Sequence, residues 1–236
     1  MDFDLNDEQR LLRDSVERLI SERYDFEQRK QFAQSHEGWS REMWAQYAEL
    51  GLLGLPFAEQ YGGFGGGPTE TMIVMEAFGR GLVLEPYLAT VILGGGLLRH
   101  AGSEAQKSKL LPEIAAGKLL LALAHAERQS RYDLADIATT ARRDGAGWRL
   151  EGKKSLVLHG DSADTLIVSA RIEGDRRDRN GIGLFLIDAG ANNVARRFYP
   201  TQDGLRAAEV TLSGAWADDV LGTPGQMLPV IERVVD

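Results

Sequence analysis

The side chains best placed for chemistry are Glu127, Arg128, Arg131, Asp133 and Asp136, which follow directly on the apolar run Leu119–Ala126, itself polar only at His125. A buried strand that ends in a charged, proline-free loop carries that loop to a rim or cleft, because backbone polar groups cannot be left unpaired inside. An ordinary strand end gives the same pattern, so the stretch marks a place without naming a reaction. Other chemistries are excluded by residue type or spacing. The chain has no cysteine, hence no thiol nucleophile and no disulfide. Its four histidines, His36, His100, His125 and His159, show neither H-E-x-x-H nor i, i+4 spacing, so no metal site is assigned. No G-x-S-x-G elbow is present. Gly62-Gly63-Phe64-Gly65-Gly66-Gly67 lacks both G-x-G-x-x-G spacing and a following Lys-Ser/Thr, and reads as a permissive turn rather than a phosphate loop.

The elements that must position these residues change character at Leu119. Before it, the periodicity is helical. Asn6-Asp7-Glu8-Gln9 is a capping box, and Leu12, Val16, Leu19 and Ile20 form one stripe behind it. Ser40 caps a second helix carrying Met43, Trp44, Tyr47 and Leu50, and Gly51 ends it. Pro68 and Thr69 start a third, with Met72, Met75 and Phe78 as core candidates. Pro86 opens a fourth, interrupted by Gly94-Gly95-Gly96, which predicts either a break or a close helix approach. Ser103-x-x-Gln106 caps a fifth, stopped by Gly117. After Leu119, Trp148–Glu151, Leu156–Leu158, Leu166–Val168, Gly183–Ile187 and Val210–Leu212 read as short strands with Gly-rich punctuation, and Asp175–Arg179 as a solvated hairpin loop. The expected class is α+β: an all-helical domain at 1–117, an antiparallel β-barrel or sandwich at 118–222, and at 223–236 the opening helix of a further helical bundle. That last stripe is still running where the chain stops, which predicts a truncated C-terminal bundle.

Composition sets the outer bounds. Of 236 residues, 43% are hydrophobic and 26% charged, as in soluble globular proteins. A net charge of −8 argues against a nucleic-acid groove. No apolar run approaches the ~20 residues that cross a bilayer, and the acidic N-terminus is unlike a secretory signal, so a cytoplasmic location without membrane attachment is expected.

Four stretches then agree in order and spacing with one family. Ala124–Asp133, AHAERQSRYD, followed by ADIATTA, resembles the segment T-E-P-x-x-G-S-D-x-x-x-I-x-T-x-A of acyl-CoA dehydrogenase middle domains. GLLGLPFAEQYGGFGGG at Gly51–Gly67, SEAQKSKLLPEIAAGK at Ser103–Lys118, and DGLRAAEVTL with ADDVLG at Asp203–Gly222 agree with it. More narrowly, the chain resembles the small subunit of pimeloyl-CoA-type dehydrogenases, enzymes of dicarboxylic acid degradation within fatty acid metabolism. The resemblance implies FAD as cofactor and an acyl-CoA thioester oxidised at Cα–Cβ to a trans-2-enoyl-CoA, with electron-transfer flavoprotein as acceptor and a homo- or hetero-oligomer containing a large dehydrogenase subunit. It also implies that the catalytic base lies on the C-terminal bundle, so no residue here is named as catalytic.

The same resemblance points to Leu123, His125, Ala126, Leu156, Leu158 and His159 as flavin contacts, and to Arg131, Tyr132 and Asp133 as substrate contacts. The pattern departs where it matters: Ala126 stands where the family has a hydroxyl, Leu156 and Leu158 where it has a stacking aromatic and a second hydroxyl, and Arg131-Tyr132 where it has Gly-Ser. The alternative expectation is therefore a non-catalytic, FAD-poor partner subunit of the same fold.

Overall fold

The structure is a computed structural model and describes residues 4–236. The chain divides into two compact units, Met1–Glu85 with Ala115–Gly117, and Pro86–Ile114 with Lys118–Asp236. No helix among the described residues is long and apolar enough to cross a membrane.

In the first unit, α1 (Asp7–Arg23) begins at the expected capping box: Gln9 N donates to Asn6 Oδ1 at 2.8 Å and Asn6 N donates to Gln9 Oε1 at 3.1 Å. α2 (Phe26–Gln34) has no counterpart in the sequence reading, because it buries no residue and so shows no apolar stripe. α3 (Arg41–Glu49) is capped by Ser40 and buries Met43, Trp44 and Tyr47, as expected, whereas Leu50 falls at its C-cap and is half-exposed. α4 (Pro68–Gly81) starts at Pro68, but its buried face is Ile73, Val74, Ala77 and Phe78, leaving Met72 54% exposed. The expected stripe was thus displaced by one residue, and only Phe78 of it lies in the core. The glycine loop is a tight turn: a Cβ on Gly63 would lie 2.1 Å from Phe57 O. That close backbone approach accounts for the glycine without any ligand.

The second unit holds the strands. Leu88–Gly94 forms π-helical turns that run into α5 (Gly95–Ala101), and a capping box between Ser103 and Gln106 starts α6 (Glu104–Ala115). Gly94 lies against Leu121, where a Cβ would come within 2.6 Å of the Leu121 Cβ, and Gly96 lies against Val234. Gly94 and Gly96 therefore serve close packing. One sheet is ordered β6 (Val194–Pro200), β7 (Arg206–Ala217), β3 (Gly147–Leu158), β2 (Thr140–Asp144), β4 (Thr165–Arg171), β5 (Ile182–Asp188) and β8 (Asp219–Leu221), with β1 (Leu121–Ala124) paired to β4. Pairing is antiparallel except for β1 on β4 and a single bridge of β2 to β4, which are parallel. The fold is thus the expected helical part followed by a mostly antiparallel sheet. Its inner face buries Ala124, Leu150, Val168, Phe185, Val210 and Ala215. α7 (Leu228–Val235) follows, with Leu228 and Ile231 buried.

Candidate functional site

The site is built on β1. The Thr90 hydroxyl, on the π-helical turns, donates to Leu121 O at 3.0 Å and accepts from Leu121 N at 3.1 Å, so one side chain satisfies both backbone groups of the strand's first residue. β1 then delivers His125, Ala126 and Glu127 to the strand end, where β3 meets them: Ser155 N donates to Ala126 O at 2.9 Å. Register shifts in the β3–β7 pairing between Lys154 and Val157 mark a bulge at this point. A bulge re-aims the side chains around it.

Lys154 is fully buried there. Its ammonium donates to Glu127 Oε1 at 2.7 Å, Ser169 Oγ at 3.1 Å and His125 O at 3.2 Å, using all three donors. Glu127, also buried, accepts in addition from Ala138 N at 2.9 Å, Thr139 N at 3.1 Å and Gln129 Nε2 at 2.8 Å. Burial alone pushes the Glu127 carboxyl up, but the Lys154 charge and these hydrogen bonds outweigh it and hold the group well below the usual carboxylate range. Burial draws Lys154 down from its ordinary value, partly offset by Glu127. The pair is ionised at neutral pH. His125 Nδ1 lies 2.9 Å from Ser169 Oγ, and its imidazole is pulled down to about 4, by burial and then by the Lys154 charge.

The loop after Glu127 is held by a second buried cation. Arg171 donates to the carbonyls of Ala135 at 2.9 Å, Arg176 at 2.9 Å, Asp178 at 3.0 Å and Asn180 at 2.8 Å. Asp136, with a fully buried carboxylate, pairs with Arg176 and Arg177. The hairpin at Asp175–Arg179 is exposed, as expected, and Arg176 and Arg177 reach back from it to Asp136, because a buried carboxylate must be paired. Among the described residues no group of three or more metal-ligating side chains occurs.

Of the residues singled out from sequence, Leu123 lies in β1 with His125 and Ala126 just past its end, and Leu156 and Leu158 lie in β3 with His159 just past its end; the Ala126–Ser155 and His125–Lys154 hydrogen bonds bring the two ends together. Leu156 is 47% exposed, whereas Leu123, His125, Ala126 and Leu158 are half-buried. His159 is buried in a left-handed conformation, φ 50°, and among the described residues its Nδ1 has no hydrogen-bond partner. Burial pulls its imidazole down to about 4 as well. Arg131, Tyr132 and Asp133 are exposed at the loop tip, Arg131 with φ 51° and Tyr132 98% exposed, while Asp133 Oδ1 accepts from Ala135 N at 3.0 Å. Sequence reasoning missed Lys154 and Ser169, and left Glu127 as one loop charge among five. Glu127 had a usable signal: it is the one member of T-E-P retained in Ala126-Glu127-Arg128.

A helical unit and a mostly antiparallel sheet, with a buried ion pair between the ends of β1 and β3, define an α+β protein. The acyl-CoA dehydrogenase N-terminal domain family matches residues 6–118 and the acyl-CoA dehydrogenase middle domain family residues 122–214. Acyl-CoA dehydrogenase FadE12 of Mycobacterium tuberculosis is 33% identical over 189 residues, 79% of this chain and 48% of that protein. Bovine mitochondrial isovaleryl-CoA dehydrogenase is 35% identical over 172 residues, 72% of this chain and 40% of that one. Among solved structures, a variant of the Tcur3481-Tcur3483 steroid ACAD superposes with a TM-score of 0.85 at 28% identity, over 96% of this chain and 60% of that one. The chain therefore belongs to the acyl-CoA dehydrogenase family. It spans about half the length of the curated relatives it matches.

Proposed function

We propose that the whole protein is an FAD-dependent acyl-CoA dehydrogenase subunit that oxidises the Cα–Cβ bond of an acyl-CoA thioester to a trans-2-enoyl-CoA, passing electrons to an electron-transfer flavoprotein. The observation that carries the reading is the match of both family domains in order along the chain. We further propose functional bounds of 1–117, 118–222 and 223–236, a cytoplasmic location, and a place as the small subunit beside a large dehydrogenase subunit of pimeloyl-CoA type. FAD is the cofactor that the family implies, and when bound it accepts the hydride from the β carbon.

The seam's residues suit such a group. Half-exposed Leu156 with Leu123, Ala126 and Leu158 offers an apolar platform for a ring. The partnerless Nδ1 of His159 is a buried polar atom of the kind a ligand satisfies. On the substrate side, the exposed Arg131, Tyr132 and Asp133 would meet the CoA portion. No residue of this chain is assigned the part of catalytic base. Its residues bind, orient and exclude water.

A second reading is favoured by three particular positions. Ala126, Leu156 and Leu158 lack the groups that the family's pattern places there, and each lost hydrogen bond is worth roughly 0.5–1.5 kcal/mol. Two such losses, with the stacking aromatic gone as well, weaken binding by about one to two orders of magnitude or more, which would make this an FAD-poor, non-catalytic partner subunit. The absorbance spectrum of the purified full-length protein, alone and with its partner subunit, separates the two. Stoichiometric flavin and acyl-CoA-dependent reduction of an artificial acceptor by the protein alone support the first; flavin and activity only in the complex support the second. Neither in any combination overturns both.

A further inference from the structure

The hydrogen bonds around Ser169 fix which nitrogen of His125 carries its proton. The Lys154 ammonium has donors only, so Ser169 Oγ accepts from it at 3.1 Å. Ser169 is fully buried, and the other neighbour of its hydroxyl is His125 Nδ1, 2.9 Å away. Were Nδ1 protonated, it would donate to Ser169 Oγ, and the serine hydroxyl would be left without an acceptor inside the protein. A buried donor without a partner is costly. The serine therefore donates to Nδ1, and the neutral ring carries its hydrogen on Nε2. The positive charge of Lys154 beside it and the burial of the ring keep the imidazole neutral at pH 7. His125 is half-buried, and among the described residues its Nε2 has no hydrogen-bond partner while not being enclosed.

The network thus delivers one fixed N–H to a seam whose other half-exposed members, Leu123, Ala126, Leu156 and Leu158, have no polar side chain. We infer that His125 is a binding residue whose Nε2–H donates to an acceptor on the flavin ring, a ring carbonyl or nitrogen, in place of the hydroxyl that Ala126 lacks, and that Ser169 and Lys154 are positioning residues that hold the ring in this tautomer. The inference rests on the FAD reading given above.

The test is nitrogen-15 NMR of the histidine rings in the full-length protein, with and without FAD, the His125 signals being assigned by their loss in His125→Gln. A neutral ring protonated on Nε2 is expected at pH 7, retained in Ser169→Thr and lost to a tautomer mixture in Ser169→Ala, a contrast that a merely structural serine would not produce. FAD should shift the His125 Nε2 resonance. By fluorescence titration, His125→Leu should bind FAD about tenfold more weakly and His125→Gln, which keeps an N–H, within about threefold of the parent. A ring protonated on Nδ1, or FAD bound without any change at His125, overturns the inference and leaves the FAD reading standing. FAD that does not bind to the protein, alone or with its partner, overturns the FAD reading and the donation with it, and the ligand-free spectrum still decides the tautomer. Should His125→Leu not fold, the parent and His125→Gln spectra decide alone.

Discussion

Each unit of the molecule buries a carboxylate, and the two are set up in opposite ways. In the helical unit Glu85 accepts from Ser40 N at 3.0 Å, Tyr47 Oη at 3.3 Å and Tyr24 Oη at 3.4 Å, all neutral donors. Burial wins there, and its carboxyl is raised above the ordinary value. In the β unit Glu127 has neutral donors too, but also the Lys154 ammonium, and its carboxyl is lowered. The same residue type at similar depth takes opposite shifts because, among the described residues, only one has a cation within hydrogen-bonding distance. Glu85 is a tie among helices. Glu127 fixes a lysine that also donates to Ser169, the hydrogen-bond neighbour of His125.

The comparison is broken most sharply by removing the cation. Lys154→Met leaves Glu127 buried and unpaired, a change that costs about 3–5 kcal/mol. Chemical denaturation should show this loss, and adding Glu127→Gln should restore most of it. A loss no larger than that of an average core substitution, with no recovery in the double variant, would mean that the pair is not coupled.

The next effect is on pH. His125 and His159 have folded values pulled down from 6.5 to about 4, so the unfolded chain binds more protons between those limits. Their contribution is full above pH 6.5 and lost as pH falls towards 4, up to ~3 kcal/mol for each ring. Glu127 adds a loss below that window, from 4.5 down to about 2. Glu85 has the reverse sign: its contribution is full below 4.5 and lost as pH rises through its raised folded value. Stability measured by denaturation from pH 7 to 4 should therefore fall steeply in the parent and less steeply in His159→Gln. An unchanged slope would show that His159 is charged when folded.

The smallest effect expected is Glu85→Gln at pH 7. The amide keeps an acceptor for the neutral donors and removes the buried charge, so the net change should stay within about 1 kcal/mol. A loss of the size expected for Lys154→Met would show that Glu85 has an unrecognised cationic partner and that the contrast between the units fails.

Sequence alone determined the parts of this protein that depend on neighbours along the chain. The capping boxes at Asn6–Gln9 and Ser103–Gln106, the start at Pro68 and the Gly-rich turn at Gly62–Gly67 are local geometry, and the structure shows each. The family resemblance was legible for the same reason, since its stretches keep order and spacing. Elements with no one-sided apolar pattern were not legible: α2 buries nothing, and β6, an edge strand carrying Arg196 and Arg197, alternates too weakly to read. Lys154 and Ser169 could not be found either. They meet 15 residues apart, and each meets His125 across 29 or 44, so only the bulge of β3 and the pairing of β1 on β4 bring them to one point. The Glu127 and Asp136 charges looked alike in the sequence as loop residues. Tertiary structure gave the first Lys154 and the second Arg176 and Arg177, because a charge withdrawn from water persists only where folding supplies its partner.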